Sequence, residues 1–430
     1  MANTFLTKTF ASDSNRKTWT WSAWIKRTGL GGTQTLMTQV DAWNGNGNAG
    51  FYIVGDQLTS YNFTSSLNAG TDSYNRPSMF LRDVNGWYHI VVRLDTTQST
   101  ASDRCRWYVN GEQLTDFAYA NYPSLDQDCN FNGGDPHGIG SHTAGANYFD
   151  GVMSYINFSD GYSYAPTVFG STDSTTGEWT INTNPTFTLG THGFTILKNG
   201  NTITDQSTNS NNWSLGGGTL TNTLDCPANV FATWNPLSAL STPPTFSNGN
   251  TTAAVPTSGG AFRSTLAASS GKYYCEVKVT TLENFAVGIQ PIDSTYNVSI
   301  FGDTSGIGLY GTNGEVYKNG SNIGAVASVS NNDIIGMAID LDNNNIYFSV
   351  NGQYASGLSG SWNQSFGSAY AVAINSGHAY TIAGVNGSSG TTSNISINFG
   401  NGTFGTSAVT SAGTPGSTPG TFEYDVPSGY

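Results

Sequence analysis

The sequence predicts an all-β fold, and three observations carry it. Charged residues make up only 10% of the chain, against about 25% in ordinary globular domains. Glycine reaches 53 residues among many Asn, Ser and Thr, which is turn and strand chemistry. No stretch of about 12 residues places apolar side chains at helical spacing, whereas alternating and aromatic runs punctuated by Asn-Gly recur throughout. A length of 430 residues admits two or three domains, each able to bury its own core. The predicted architecture is two β-sandwich (jelly-roll) modules, 1–165 and 256–405, joined by a β-poor connector, 166–255, and followed by a tail, 406–430.

In the first module, residues 18–26 (TWTWSAWIK) alternate, placing Trp19, Trp21, Ala23 and Ile25 on one face, as a half-buried strand requires. Residues 87–94 (WYHIVVRL) are a nearly continuous apolar run of strand length. Residues 104–109 run into Asn110-Gly111 and return through 112–114, a hairpin with a type I′ turn signal. Residues 149–158 (FDGVMSYINF) alternate again and stop at Ser159-Asp160-Gly161.

The connector contains one short hairpin signal, 195–203 (TILKNGNTI), and its prolines Pro236, Pro243, Pro244 and Pro256 bias it toward extended linker geometry. In the second module, residues 271–279 alternate, 315–323 and 345–353 are hairpins about Asn319-Gly320 and Asn351-Gly352, and 334–341 is a buried apolar strand. The tail opens with a Ser/Thr/Gly/Pro-rich stretch, 406–420, before the aromatic segment 422–430 (FEYDVPSGY).

Two resemblances rest on these segments. The order WTWSAWIKR, GWYHIVVRLD, RWYVNGEQL and YFDGVMSYINFSDG resembles the concanavalin-A-like, laminin-G-type jelly roll, in the variant found in tail and appendage proteins of marine phages. The phrase DCPANVFATWNPL (225–237) resembles the same phage proteins. The order GKYYCEVKV, FAVGI, GLYGTNGEVYKNG, IIGMAIDLDNNNIYFSVNGQ and ISINFGNGTF is similar to the SPRY family, a bent β-sandwich used for binding. Phage SPRY modules of this kind run directly from the NFG strand to a segment like 422–430. Here 406–420 is interposed, which leaves open whether the last segment packs on the module.

The formal charge of -13 repels phosphate backbones, so nucleic acid is not an expected partner. The first residues lack the pattern of a signal peptide and no run of 18 apolar residues occurs, so membrane insertion is not expected. Cys105, Cys129, Cys226 and Cys275 form no Cys-x-x-Cys pair and read as buried thiols, a Cys105–Cys129 bridge being the alternative.

Catalytic patterns are scarce. Glucan hydrolysis on a concanavalin-like sandwich uses a Glu-x-Asp-x-Glu strand, and none of the six Glu residues lies in one. Neither His-Glu-x-x-His nor Gly-x-Ser-x-Gly occurs. His137 and His142 fall in an expected inter-strand loop, where a metal or partner contact competes with simple solvation. His89, inside an apolar strand, reads as a core or sheet-face histidine. The letters Gly45-Asn46-Gly47-Asn48-Ala49-Gly50 match a dinucleotide fingerprint but open no helix and read as a loop.

Laminin-G-type jelly rolls often hold calcium through loop carboxylates and carbonyls, and that resemblance makes Asp41, Asn44 and Asp135 the candidate ligands; no other cofactor is implied. A glycan site needs an aromatic face beside amides or carboxylates. Trp43 beside Asp41, Asn44, Asn46 and Asn48 meets that description, as do Tyr310 with Asn313 and Trp362 with Asn363 and Gln364. The resemblances imply a non-enzymatic virion surface protein, a tail fibre or similar appendage on tail or capsid, that binds host-surface glycan or receptor. They imply other virion proteins as partners and a homo-oligomer, the trimer being the common phage-fibre form. A decoration protein making only structural contacts and a surface-polysaccharide hydrolase are the competing readings.

Overall fold

The computed structural model describes residues 3–40, 48–61, 74–142, 145–238, 242–256, 261–294, 305–386, 392–416 and 420–430. The candidates Asp41, Trp43, Asn44, Asn46 and the loop glycines Gly45 and Gly47 lie outside them. The chain divides into two compact units, Met1–Asn222 with Cys226–Val230, and Thr223–Asp225 with Phe231–Tyr430. The secondary structure is strand with single turns of 3₁₀ helix, and among the described residues no helix is long and apolar enough to cross a membrane.

In the first unit an antiparallel sheet runs in the order Phe117–Asn121, Tyr74–Pro77, Gln57–Tyr61, Asn48–Val54, Thr33–Val40, Pro136–Ile139, Phe5–Thr9, Ser214–Gly217. A second runs Phe194–Ile196, Gly151–Asp160, Thr18–Arg27, Trp87–Asp95, Cys105–Val109, Glu112–Gln113. The alternation read from residues 18–26 sends Trp19, Trp21, Ala23 and Ile25 into the core with Phe51, Phe131, Ile90 and Trp107. Aromatic rings fill the space between the sheets, Phe51 lying 4.9 Å from Phe131 and 5.6 Å from Trp19. Rings of this size bury the most apolar area per ordered side chain.

The strand Thr18–Arg27 is not half-buried as expected, because Thr20, Ser22, Trp24 and Lys26 on its other face are buried too. The cover comes from the end of the predicted first module and from residues that read as connector. Tyr164, Val168, Phe169 and Phe187 pack on Val91 and Tyr108, and the Tyr164 N–H donates to Thr20 Oγ1 at 2.7 Å.

The connector 166–255 is instead divided between the units. Phe194–Ile196 pairs with Ile156–Phe158, and Ser214–Gly217 pairs with Phe5–Thr7. Between them the loop is held by side chains: the Asp205 carboxylate receives the N–H groups of Thr195, Ser207 and Asn211 at 2.8–2.9 Å. Polar side chains thus replace the ladder bonds that would have produced an alternating apolar signature. On the other side, Thr245–Ser247 and Thr252–Val255 enter a sheet of the second unit.

That sheet runs Thr245–Ser247, Thr252–Val255, Ser393–Asn398, Lys272–Thr281, Ile334–Asp340, Asn345–Val350, Gln353–Ala355, Trp362–Gln364. It faces Ala261–Ala268, Tyr380–Asn386, Phe285–Pro291, Ile307–Tyr310, Glu315–Lys318, Ser321–Ala325. Val277, Ile335, Met337, Val287, Ile307 and Phe262 meet between them. The predicted Asn-Gly turns hold their geometry: φ is positive at both residues of Asn110-Gly111, Asn319-Gly320 and Asn351-Gly352, the signature of the type I′ turn.

The terminal segment does pack on the second unit. Phe422, Val426 and Tyr430 lie with Tyr274 and Ala338 in one buried cluster, and Phe422 meets Tyr274 edge-on at 5.0 Å. The buried Glu276 carboxylate receives the backbone N–H groups of Glu423 and Tyr424, both at 2.9 Å, and the Tyr274 hydroxyl at 3.2 Å. Burial pushes the Glu276 carboxyl up to about 7 although these donors oppose it.

Candidate functional site

Of the aromatic-polar constellations read from sequence, the structure brings one together. Tyr310 ends the strand Ile307–Tyr310, and Tyr317 lies in the adjacent strand Glu315–Lys318. Tyr317 stands opposite Gly308, whose missing side chain leaves room for the ring. The two phenol rings sit 5.1 Å apart at 59°. The turn between the strands carries Asn313, which donates from Nδ2 to Glu315 Oε2 at 2.7 Å. The Tyr317 hydroxyl donates to the same oxygen at 3.3 Å.

Burial raises both phenols above their usual range, the Glu315 charge adding to it, so each keeps its proton and remains a donor. Asn313 is exposed, and Tyr310, Tyr317 and Glu315 are half-buried. Beside the pair, Ala261, Val385 and Ala286 continue the row across three neighbouring strands. An aromatic pair, a carboxylate and a primary amide on one surface can stack a sugar ring and fix its hydroxyls.

Trp362 serves its own unit instead. Its indole N–H donates to the Ala327 carbonyl at 2.9 Å, and its half-buried ring packs against the core, so it anchors the strand that carries Asn363 and Gln364. Asp135 precedes the strand Pro136–Ile139, and its carbonyl oxygen is 2.9 Å from His137 Nδ1. Among the described residues no group of three or more His, Cys, Asp or Glu is placed to hold a metal ion. His137 is not in a solvated loop: it is buried in that strand, edge-on to Phe10 at 5.1 Å and to Phe131 at 5.8 Å. Its pairing with Gln39 and Lys8 points the ring inward, and burial pushes it down to about 3.

The remaining titratable clusters are tied up structurally. Asp160 receives Ser14 Oγ, Asn132 Nδ2 and the N–H groups of Asn15 and His192. In the second unit Ser305, His378 and Asp293 form a chain, with Ser305 Oγ 3.5 Å from His378 Nε2 and Asp293 3.4 Å from Nδ1. These links are longer than the 2.6–3.2 Å of an oriented nucleophile–base pair. Ser305 Oγ already accepts from Asn375 Nδ2 at 2.9 Å. Its backbone N–H, the natural oxyanion donor, is committed to Asn319 Oδ1 at 2.8 Å. The cluster fastens Ser305, which sits at φ +83°, to the neighbouring hairpin.

Sequence reasoning missed a row of four tyrosines. Tyr52, Tyr61, Tyr74 and Tyr119 stand in a row across four strands of the first unit, with ring centroids 5.5, 5.0 and 4.8 Å apart. The hairpin pairing Gly50 with Tyr61 and Tyr52 with Thr59 was a legible signal for the first two. Tyr119 joins only through the pairing of Phe117–Asn121 with Tyr74–Pro77, which no local pattern gives.

Comparison with known proteins gives one family match and several structural likenesses. The family model of the Concanavalin A-like lectin/glucanases superfamily matches residues 3–168, within the first unit and short of half the chain. No curated protein sequence matches. Among solved structures, the SPRY domain of human HERC1 is similar at 17% identity over 38% of this chain and 96% of that chain, with a TM-score of 0.31. The TRIM65 PSpry domain is similar at 12% identity over 39% and 88%, with a TM-score of 0.30. A heptameric SAP-like pentraxin from Limulus polyphemus is similar at 16% identity over 38% and 71%, with a TM-score of 0.28. The chain is an all-β protein of two compact units, and the match to the concanavalin-A-like superfamily model lies in the first.

Proposed function

We propose that this chain is a bacteriophage virion-surface protein, a tail fibre or similar appendage, that binds host-surface glycan and performs no catalysis. The observation that carries the glycan reading is the Tyr310–Tyr317 pair with Asn313 and Glu315 on one hydrogen-bonded surface. The two sequence resemblances support the virion setting, with other virion proteins as partners and a homotrimer as the assembled form. A sandwich without disulfides, held by antiparallel ladders and weakly charged, suits presentation of loops outside a cell.

A glycan microarray probed with the full chain tests the site. The expected result is binding to a defined glycan set that Tyr317→Ala weakens about tenfold and Tyr317→Phe weakens less. Absence of binding, or binding indifferent to Tyr317→Ala and Asn313→Ala, overturns it. A cryo-electron map of the particle tests the location: a distal fibre position with this surface outward is expected.

One observation favours the purely structural reading as second. Leu237 and Leu266 of the second unit are 60% and 46% exposed, apolar side chains open to packing on another virion protein. A map with the Tyr310 surface buried against capsid or tail proteins would put that reading first.

A further inference from the structure

We infer that the groove holding residues 421–430 is an exchange site: it takes the same segment from a second copy of this chain, so that copies are joined arm to groove. The groove lies on the outer face of a sheet of the second unit. Tyr274, Ala338 and Tyr347 stand side by side on three adjacent strands, with Glu276, Gly336 and Ser349 in the next row. Cys275, Met337 and Phe348, between the two rows, point into the core, as strand alternation requires. Ala338 and Gly336 keep the middle strand low between the tyrosines. A Cβ at Gly336 would stand 2.8 Å from the Tyr274 hydroxyl oxygen. Phe366 walls the groove, 4.9 Å from Tyr347 and 5.3 Å from Tyr354.

The segment fits this groove by side chain and by backbone. Phe422, Val426 and Tyr430, spaced four residues apart, are its buried anchors. The Tyr430 ring meets Phe366 at 5.5 Å and lies 5.3 Å from Lys272 Nζ. Two consecutive backbone N–H groups, of Glu423 and Tyr424, answer the Glu276 carboxylate, and Asn398 Nδ2 donates to the Thr421 carbonyl at 2.9 Å. A buried carboxylate needs donors of this kind. The groove is therefore matched to this one segment, whichever copy supplies it.

The connection to the sandwich does not fix which copy that is. Asn401 and Thr421 are bridged, so residues 402–420 leave the sandwich and return to the same place. No residue from 406 to 416 is buried. Hydrogen bonds from this stretch run to the arm itself, from Thr410 to Glu423, Gly413 to Phe422 and Thr414 to Asp425, and travel with it. A chain of this length spans about 65 Å when extended, enough to reach a neighbouring copy. Exchange replaces each groove contact by its equal and forfeits only the effective concentration of the chain's own arm, on the order of millimolar. The chain's own arm therefore wins in dilute solution, and a neighbour's arm competes where copies stand side by side. Arm and groove are different surfaces, so the contact is head-to-tail and a ring of copies fills every groove. A ring of three gives the homotrimer proposed above; the ring size rests on that reading, and the exchange does not.

The test mixes two full-length variants. Ala338→Glu fills the groove and leaves the arm whole, while Phe422→Ala with Tyr430→Ala strips the arm and leaves the groove whole. With an affinity tag on the first, the second should be captured. Tagged and untagged copies of the same variant should capture each other at least about tenfold less. A labelled peptide of residues 421–430 should bind the arm variant at least about tenfold tighter than the unaltered chain, whose own arm competes, and should not bind Ala338→Glu. Tyr347→Ala and Tyr430→Ala form a milder groove and arm pair, expected to give the same pattern if circular dichroism shows either first variant unfolded. Peptide binding without capture confines the arm to its own chain and overturns the exchange. Capture that is equal in every combination places assembly on another surface and overturns it too, as does a peptide that binds neither groove. Glycan binding at the Tyr310 surface should be the same in all these variants, so a blank microarray with the unaltered chain removes that site and leaves this one standing.

Discussion

The indole N–H of Trp179 donates to Nδ1 of His89 at 3.0 Å, with the two rings stacked 13° from parallel. Trp24 stacks on His89 at 4.8 Å, and Ser22 Oγ lies 2.9 Å from Nε2. With Nδ1 accepting, Nε2 carries the proton and donates to Ser22. The imidazole is therefore neutral, and burial pushes it down to about 3.

Acid should undo the first unit. His89 and His137, both pushed down to about 3 by burial, favour the folded state above the ordinary histidine value near 6.5, and that contribution is lost as the pH falls toward 3. Each loses about 3 kcal/mol by pH 4. Calorimetry across pH 7 to 4 should show one transition moving sharply down in temperature, and Trp179→Phe should lower the same transition at neutral pH by breaking the bond to Nδ1.

The second unit should answer in the opposite direction. The Glu276 carboxyl, pushed up to about 7 by burial, favours folding below the ordinary glutamate value, and that contribution is lost as the pH rises from about 4.5 through 7. The cost at pH 8 is about 3 kcal/mol. In the same calorimetric series the other transition should rise on acidification, and Glu276→Gln should flatten its pH dependence. A transition that keeps its slope in Glu276→Gln would assign the effect elsewhere.

Arg27 is fully buried and its Nη1 meets Asp56 Oδ1 at 3.0 Å. Burial raises the Asp56 carboxyl, but the Gly31 N–H and the Arg27 and Arg82 guanidinium groups outweigh it and hold it below the usual range. Asp56→Asn leaves a buried cation without its counter-charge, which should cost about 3 kcal/mol in urea unfolding of the first unit. The double replacement with Arg27→Met should cost less than Asp56→Asn alone.

All four cysteines are free thiols, and Cys105, Cys129 and Cys275 are buried while Cys226 is partly exposed. Burial pushes the Cys105 thiol up to about 12 and raises Cys129 and Cys275 as well, which removes the reactive thiolate. Ellman's reagent should label one thiol per native chain, Cys226, and all four after unfolding.

The all-β class and the Asn-Gly hairpins were legible because each is set by local chemistry: alternation at Trp19, Trp21 and Ile25, and positive φ at Asn110-Gly111. Whatever depends on distant pairing was not. Trp179 and Phe187 read as connector because their partners, His89 and Phe169 with Val91, lie on other elements. Tyr310 and Asn313 were visible because four residues of one hairpin hold the site. Tyr119 was invisible because its neighbour Tyr74 is forty-five positions away. The anchoring of Trp362 was hidden for a related reason, since the Ala327 carbonyl that accepts from its N–H lies on a separate loop.

The fastening of residues 421–430 also has a mechanical side. Apart from the bridge between Asn401 and Thr421 and single backbone bonds with Gly413 and Thr414, the segment is held by side-chain contacts and by Glu276 rather than by a continuous ladder. Tension applied at Tyr430 would meet these attachments one after another instead of shearing a whole strand at once. The segment would peel away first, yielding about 35 Å of slack from ten extended residues while the sheets behind it stay intact. A protein loaded in this way gains a short, recoverable tether that absorbs a sudden pull before the sandwich itself is strained.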